Sequence, residues 1–392
     1  MRISALFLLL NVYLEVLAYQ PVITPNGSTL PFTLEEGWKV FRLVAEPIKG
    51  EFAPGFNVNL WGYNGQSPGP TIEAVEGDKV RILVTNHLVE PTTVHWHGIL
   101  LPNGMDGVTG VTQKPILPGQ TFKYEFILRQ SGTYMYHPHF DDLTQIGLGM
   151  MGFFIIHPKE ETAPVSRDFA IMLMEWDIPA GASMPDPFSL DFNYFTFNTC
   201  VYPKADPLWI KQGEKVRIRL GNLSMNSHPI HLHGFIFNLV AMGARRMPAA
   251  AQYEAVTVNV PVGETREIEF IADALGDWPL HCHKAHHTMN GMVHALPNLL
   301  GVKEADQKKL QKLIPGIHLM GETGMGEMFG MRMKTPANFL APGQPGPFGT
   351  IELSGMFTLV KVRKDLGKEA SLWYVHPQGT VAELVEGEKT DG

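Results

Sequence analysis

Cysteine is nearly missing from this chain: 392 residues contain two, Cys200 and Cys282. A disulfide-stapled framework is therefore excluded, although an exported chain could join the pair in one bridge. Positive charge is not in excess either. The formal net charge is −8, which argues against a nucleic-acid partner, because phosphate backbones select basic faces. No run of apolar residues approaches the ~20 needed to cross a bilayer, so no membrane span is expected. The chain also lacks a disordered-type bias, being 44% hydrophobic and 18% charged. Its length leaves room for two domains, each with its own core.

At the N-terminus, MRISALFLLLNVYLEVLAYQ reads as a secretory signal over residues 1–18, with Arg2, an apolar run from Ile3 to Leu10, and small residues ending at Ala18. A short buried strand is the plainer alternative, and Glu15 weighs toward it. Export implies a secreted or periplasmic protein.

Glycine (39) and proline (30) are plentiful, which suits short strands joined by turns. Two halves of the chain also resemble each other. GDKVRILVTN (77–86) matches GEKVRIRLGN (213–222), and the same offset carries HWHG (95–98) onto HLHG (231–234). Further on, PGQTFKYEFI (118–127) matches VGETREIEFI (262–271), and that offset carries YHPHF (136–140) onto LHCHK (280–284). The chain reads as a tandem duplication. Alternating strands such as 79–84 and 266–270 predict an all-β fold with one β-sandwich per copy. The expected boundaries are 20–160 and 163–363. The second domain would include a short helix at 304–314, a Met-rich loop at 324–333 and a last strand within 349–363. Residues 364–392 read as a polar tail.

Each half carries two His-x-His pairs: His95/His97 and His137/His139, then His231/His233 and His281/His283. On a strand, residues two apart share a face, so each pair can aim two imidazoles at one place. A single His-x-His is commonly a surface coincidence; four at corresponding positions of a duplication are not. Eight neutral nitrogen donors suit several copper ions. Zinc is the next choice, but it closes its sites with four ligands.

Cys282 sits between His281 and His283, so its sulfur points to the opposite strand face. With His228, His287 and Met292 it can form a His₂Cys set with a weak axial thioether, the donor set of a blue copper electron-transfer centre. Cys200 is left as a buried or free thiol, and His286 without a role.

HWHG, HPH, HPIHLHG and HCHKAHHTMNGM together resemble the four motifs of the multicopper oxidases, in the family's order, over about residues 50–300. The resemblance implies two cupredoxin-like Greek-key domains and four copper ions per chain. His228, Cys282, His287 and Met292 would hold the type 1 ion. His95 and His231 would hold the type 2 ion, and His97, His137, His139, His233, His281 and His283 the type 3 pair. It also implies that a small reducing substrate is oxidised one electron at a time while O₂ is reduced to water. Asp106 stands where the family has an acidic residue that helps deliver protons, although Asp-Gly is also a common turn. Thr288 stands where some bacterial members have a glutamate after the last type 1 histidine, which puts that proton route in doubt.

The first-half equivalents of His228, Cys282, His287 and Met292 are Thr92, Pro138, Leu143 and Leu148. None can serve as a type 1 ligand, which argues against a copper nitrite reductase, whose type 1 site lies in the first domain. Larger relatives build their cluster between first and third domains. With two domains only, the resemblance implies a homotrimer in which each first domain faces a neighbour's second; intrachain pairing in a monomer is the alternative. Donors would be phenols or aromatic amines, or Cu(I) if Met325, Met328, Met331 and Met333 bind it through their soft thioethers. Those methionines could instead fill gaps in a core. A non-catalytic copper-binding or storage protein on the same fold is the reading from another class.

Overall fold

The computed structural model describes residues 19–179, 181–288, 309, 312–313, 344–351, 353–367 and 373–383. The expected signal segment, Met292, the Met-rich loop, most of the helix expected at 304–314 and parts of the tail lie outside the described residues.

Each half is a pair of curled sheets of the same construction. In the first, Trp38–Ala53 runs parallel to Lys79–Asn86, which pairs antiparallel with Thr121–Ile127. In the second, Arg167–Trp176, Lys215–Asn222 and Glu264–Ile271 repeat that order and those directions. The facing sheets correspond as well. Gly69–Val75, Gly152–His157, Gly132–His137 and His95–His97 lie side by side in the first half. Leu208–Lys211, Phe357–Arg363, Gly276–Cys282 and His228–Leu232 do so in the second, where Thr257–Val260 adds an edge. Both halves are cupredoxin-like β-sandwiches, as the alternation predicts. Phe357–Arg363 takes the place that Gly152–His157 has in the first half, so the second copy carries a much longer stretch of chain before its last strand.

Why the strands lie where they do follows from their two faces. In Gly152–His157, Phe154 and Ile156 enter the first domain's core, whereas Phe153 and Ile155 enter a further core shared by both domains. Arg167–Trp176 divides the same way: Phe169, Ile171 and Leu173 face the second core, while Ala170, Met172, Met174 and Trp176 face the shared one. Both strands are therefore apolar on both faces, the pattern of a strand covered on both sides.

The seam between domains also carries charge. Arg217 and Arg219 leave the second core by strand alternation, yet both are buried. Arg219 reaches Asp168 Oδ1 through Nε at 2.8 Å and Glu267 Oε1 through Nη1 at 2.9 Å. Its Nη1 also donates to Thr133 Oγ1 of the first domain, which in turn donates to Glu267. Burial works to raise both carboxyls, yet Arg219 and Arg217 hold Glu267 below the usual carboxylate range, and Arg246, Arg217 and Lys215 bring Glu269 down to about 2.

Candidate metal centres

Pairing of the short strand His95–His97 with Gly132–His137 sets His95 directly opposite His137. The duplicated pairing sets His231 opposite His281. Directly opposed side chains are the closest neighbours a sheet offers. Neighbouring ring centroids accordingly lie 5.3–6.2 Å apart among His95, His97, His137 and His139, and 4.7–5.8 Å apart among His231, His233, His281 and His283. Among the described residues no ring contact joins one group of four to the other.

Backbone contacts orient these rings. His95 Nδ1 meets Asp106 O at 2.8 Å, His137 Nδ1 meets Pro138 O at 2.8 Å, and His281 Nδ1 meets Cys282 O at 2.9 Å. His231 Nδ1 meets Val256 O at 2.7 Å. A ring whose Nδ1 donates to a carbonyl keeps Nε2 as the free donor atom for a metal, the usual outer-shell arrangement. His97 is turned the other way: its Nδ1 lies 3.2 Å from His137 Nε2. His233 and His281 meet through their Nε2 atoms at 3.1 Å. Burial pushes His137 down to about 3 and lowers His97, His233 and His281 too, so these rings are neutral and able to bind metal near neutral pH.

Asp106 is brought to the first cluster by its loop. Besides the carbonyl contact, its Oδ1 lies 3.4 Å from His95 Nδ1. Gly107, at φ +83°, lets the loop come this close, since a Cβ there would overlap the Val94 carbonyl. Asp142 does a similar thing at His139, with Oδ2 3.3 Å from Nδ1.

A separate set lies inside the second domain. His228, Cys282 and His287 are buried, and their donor atoms converge: Nδ1 to Nδ1 is 3.2 Å, and Cys282 Sγ lies 3.9 and 3.6 Å from the two nitrogens. Those separations fit donors sharing one ion at roughly 2.0–2.3 Å. Without a metal, burial drives both histidines down to about 3 and the thiol up to about 11. The site thus holds two bare nitrogens against a sulfur that needs a cation to lose its proton. Its chemistry fits a soft metal. Backbone bonds from Cys282 N to Met356 O and from Met356 N to His287 O clamp the loop.

Three residues around this set escape sequence reasoning. Ser224 Oγ sits 2.9 Å from His228 Nε2, Glu175 Oε1 sits 3.7 Å from the same atom, and Phe195 stacks on His287 at 3.9 Å. Only Ser224, four residues before His228, left a trace that spacing could have found. Both cysteines are free thiols, and burial pushes Cys200 up to about 12.

Family models described as multicopper oxidase match residues 46–161 and 179–299. The blue copper oxidase of Nitrosomonas europaea superimposes with a TM-score of 0.62 at 26% identity, covering 83% of this chain and 86% of that one. The multicopper oxidase mgLAC does so with a TM-score of 0.59 at 31% identity, over 66% and 83%. Laccase-1 of Cryptococcus neoformans is 35% identical over 235 residues, 52% of this chain and 36% of the laccase. The chain belongs to the multicopper oxidases. It spans about a fifth to two-fifths of the length of the curated relatives it matches.

Proposed function

We propose that this protein is a laccase-like oxidase that takes single electrons from a small reducing donor and passes four of them, with four protons, to O₂. The observation that carries this reading is the covalent continuity of the two sets at the end of β-strand Gly276–Cys282: Cys282 belongs to the buried His₂Cys set, while its chain neighbours His281 and His283 belong to the histidine group. Copper, when bound, would supply one-electron transfer at the first set and oxygen reduction at the histidines. The chain's own part is to hold the donors neutral, to exclude water from His228, Cys282 and His287, and to place the Asp106 carboxylate where it can pass protons beside His95. Ten histidines, Cys282 and Met292 would suffice as donors for four copper ions per chain, with Met292 joining His228, Cys282 and His287.

Each group of four histidines would be half of a site, since among the described residues no ring contact joins one group to the other. A ring of three chains, each first domain against a neighbour's second, closes every site. Two inactive variants test this directly. His97→Ala and His233→Ala are each expected to lack oxygen uptake; mixed under conditions that exchange subunits, they recover part of it, because some interfaces then hold two intact halves. No recovery, with a monomer in solution, would show that the cluster forms within one chain. The family's exported members and the N-terminal segment together support a secreted or periplasmic location.

Oxygen uptake by the copper-loaded chain with a phenol and with Cu(I) decides the activity. Copper bound without oxygen consumption would point to storage instead. Deleting 324–333 is expected to remove the Cu(I) reaction selectively if the four methionines there serve it.

A further inference from the structure

The two groups of four histidines are not equally ready to hold a metal ion. In the first, one ring nitrogen from each of His95, His97 and His137 lies within 4.8 Å of the other two. Nitrogens bound to one ion at about 2.0–2.1 Å stand at most about 4 Å apart, so small turns of these rings bring all three onto a single ion. The ring centroid of His139 lies 5.6 Å from that of His95, within reach as a fourth donor. In the second group His233 and His281 meet at 3.1 Å, but among the described residues no third donor joins them at such range.

Charge favours the same half. Asp106 Oδ1 lies 3.4 Å from His95 Nδ1, and Asp142 Oδ2 lies 3.3 Å from His139 Nδ1. Among the described residues no carboxylate pairs with a ring of the second group: His231 Nδ1 meets Val256 O and Thr257 Oγ1, and His281 Nδ1 meets Cys282 O. The offset that aligns the two copies puts His286 where the first has Asp142, three residues after the last paired histidine in each. His286 packs its ring against Phe195 and His287 instead. A carboxylate on the outer nitrogen of a ring fixes its tautomer and raises the basicity of the nitrogen left for a metal. Its negative charge also draws a cation to that half.

We infer that the first domain's histidine group is the loading half of the shared site: one chain by itself binds a single copper ion there, ahead of the second group and before a partner closes the site. The inference rests on the ring reading for its consequence, since an ion held by one half gives the facing half something to close upon. It rests on the single chain for its truth. His95, His97 and His137 hold the ion, and Asp106 and Asp142 are positioning residues that act through His95 and His139.

Copper titration of the copper-free full chain tests it, followed by absorption and electron paramagnetic resonance. Ions at the Cys282 thiolate are blue, and ions held by histidines alone are not. The first non-blue ion is expected to survive His233→Ala at unchanged affinity and to be lost in His97→Ala. Asp106→Asn keeps the side chain's shape and should weaken that ion about tenfold or more, as loss of an outer-shell partner does. Asp142→Asn repeats the test through His139 if the first variant folds poorly, while His286→Asn leaves the ion unmoved. Sedimentation at one non-blue ion per chain should find a monomer. Equal weakening by His97→Ala and His233→Ala, indifference to both asparagines, or binding of that ion only in trimers would overturn the loading half. A chain that loads this half as a monomer, never closes into trimers with more copper and consumes no oxygen would keep the inference and sink the ring and oxidase readings.

Discussion

The two halves keep the same strands and the same opposed histidines, but they treat one internal place in opposite ways. In the second domain His228, Cys282 and His287 turn their donor atoms toward each other. In the first, Thr92 stands at the place of His228, and its hydroxyl donates to Gln145 Oε1 at 2.7 Å. Gln145 is itself buried and donates onward to Glu90 Oε1 and Pro91 O. Leu143, the counterpart of His287, points outward. One copy is thus a site that needs an ion to satisfy its polar atoms, and the other has filled that need with hydrogen bonds. Duplication supplies two frames; among the described residues only one brings two imidazoles and a thiol together.

The largest effect expected from breaking this difference is that of Cys282→Ser. It removes the only thiolate in the set, so the thiolate-to-copper colour and oxygen uptake should fall to background together, while copper at the histidines stays measurable by metal analysis. A variant that stays blue would refute the assignment.

Acid tests the buried rings of both halves next, since His137 in the first domain is lowered by burial to about 3 like His228 and His287 in the second. His228 and His287 titrate near 3 when folded, against an ordinary value near 6.5, because burial disfavours their charged forms. Between those values the unfolded chain binds more protons than the folded one. Stability of the copper-free protein is therefore complete above about pH 6.5 and falls with pH below it, by at most about 1.4 kcal/mol per unit for each ring. Denaturant melts at pH 7 and pH 5 measure this. His287→Phe should reduce the slope by one ring's share, leaving those of His228 and His137, whereas Leu143 variants in the first domain should leave it unchanged.

The Arg–Glu pairs make a second matched comparison. Arg219 faces Glu267 across the second domain's strands, and Arg81 faces Glu125 across the first's. Arg219 is buried at the seam with Asp168; Arg81 is half-buried at an open face. Arg219→Leu should cost about 3–5 kcal/mol in a denaturant melt, since it strands buried carboxylates. Arg81→Leu should cost under about 1 kcal/mol. Equal costs would mean that the seam is wet.

That pair also shows where sequence reading stops. KVRILV and KVRIRL alternate alike, and the alternation correctly sends Val216, Ile218 and Leu220 to a core. It says nothing about whether the other face meets water or another domain, because both faces then read as polar. The histidine motifs were legible for the opposite reason: a two-residue period on a strand sets direction by itself. Glu175 was not legible. It lies about fifty residues before His228 and reaches it only because Arg167–Trp176 crosses the second sheet beside Lys215–Asn222. Contacts made by strand order leave no local spacing to find.

A smaller loss than that of Arg219→Leu tests the filled site itself. Gln145→Leu removes the acceptor for the Thr92 hydroxyl and the donor for Glu90 and Pro91 O, all in a place closed to solvent. The cost should be about 1–3 kcal/mol, that of leaving a buried polar group unmet, read as a lower denaturant midpoint. Copper content and colour should not change, because no proposed donor is touched. Gln145→His offers a nitrogen in place of the amide and should recover stability without a new blue band, since Pro138 leaves the first domain with no sulfur at that position. A second blue band would mean that hydrogen-bond filling, rather than the missing thiolate, is what silences the first half.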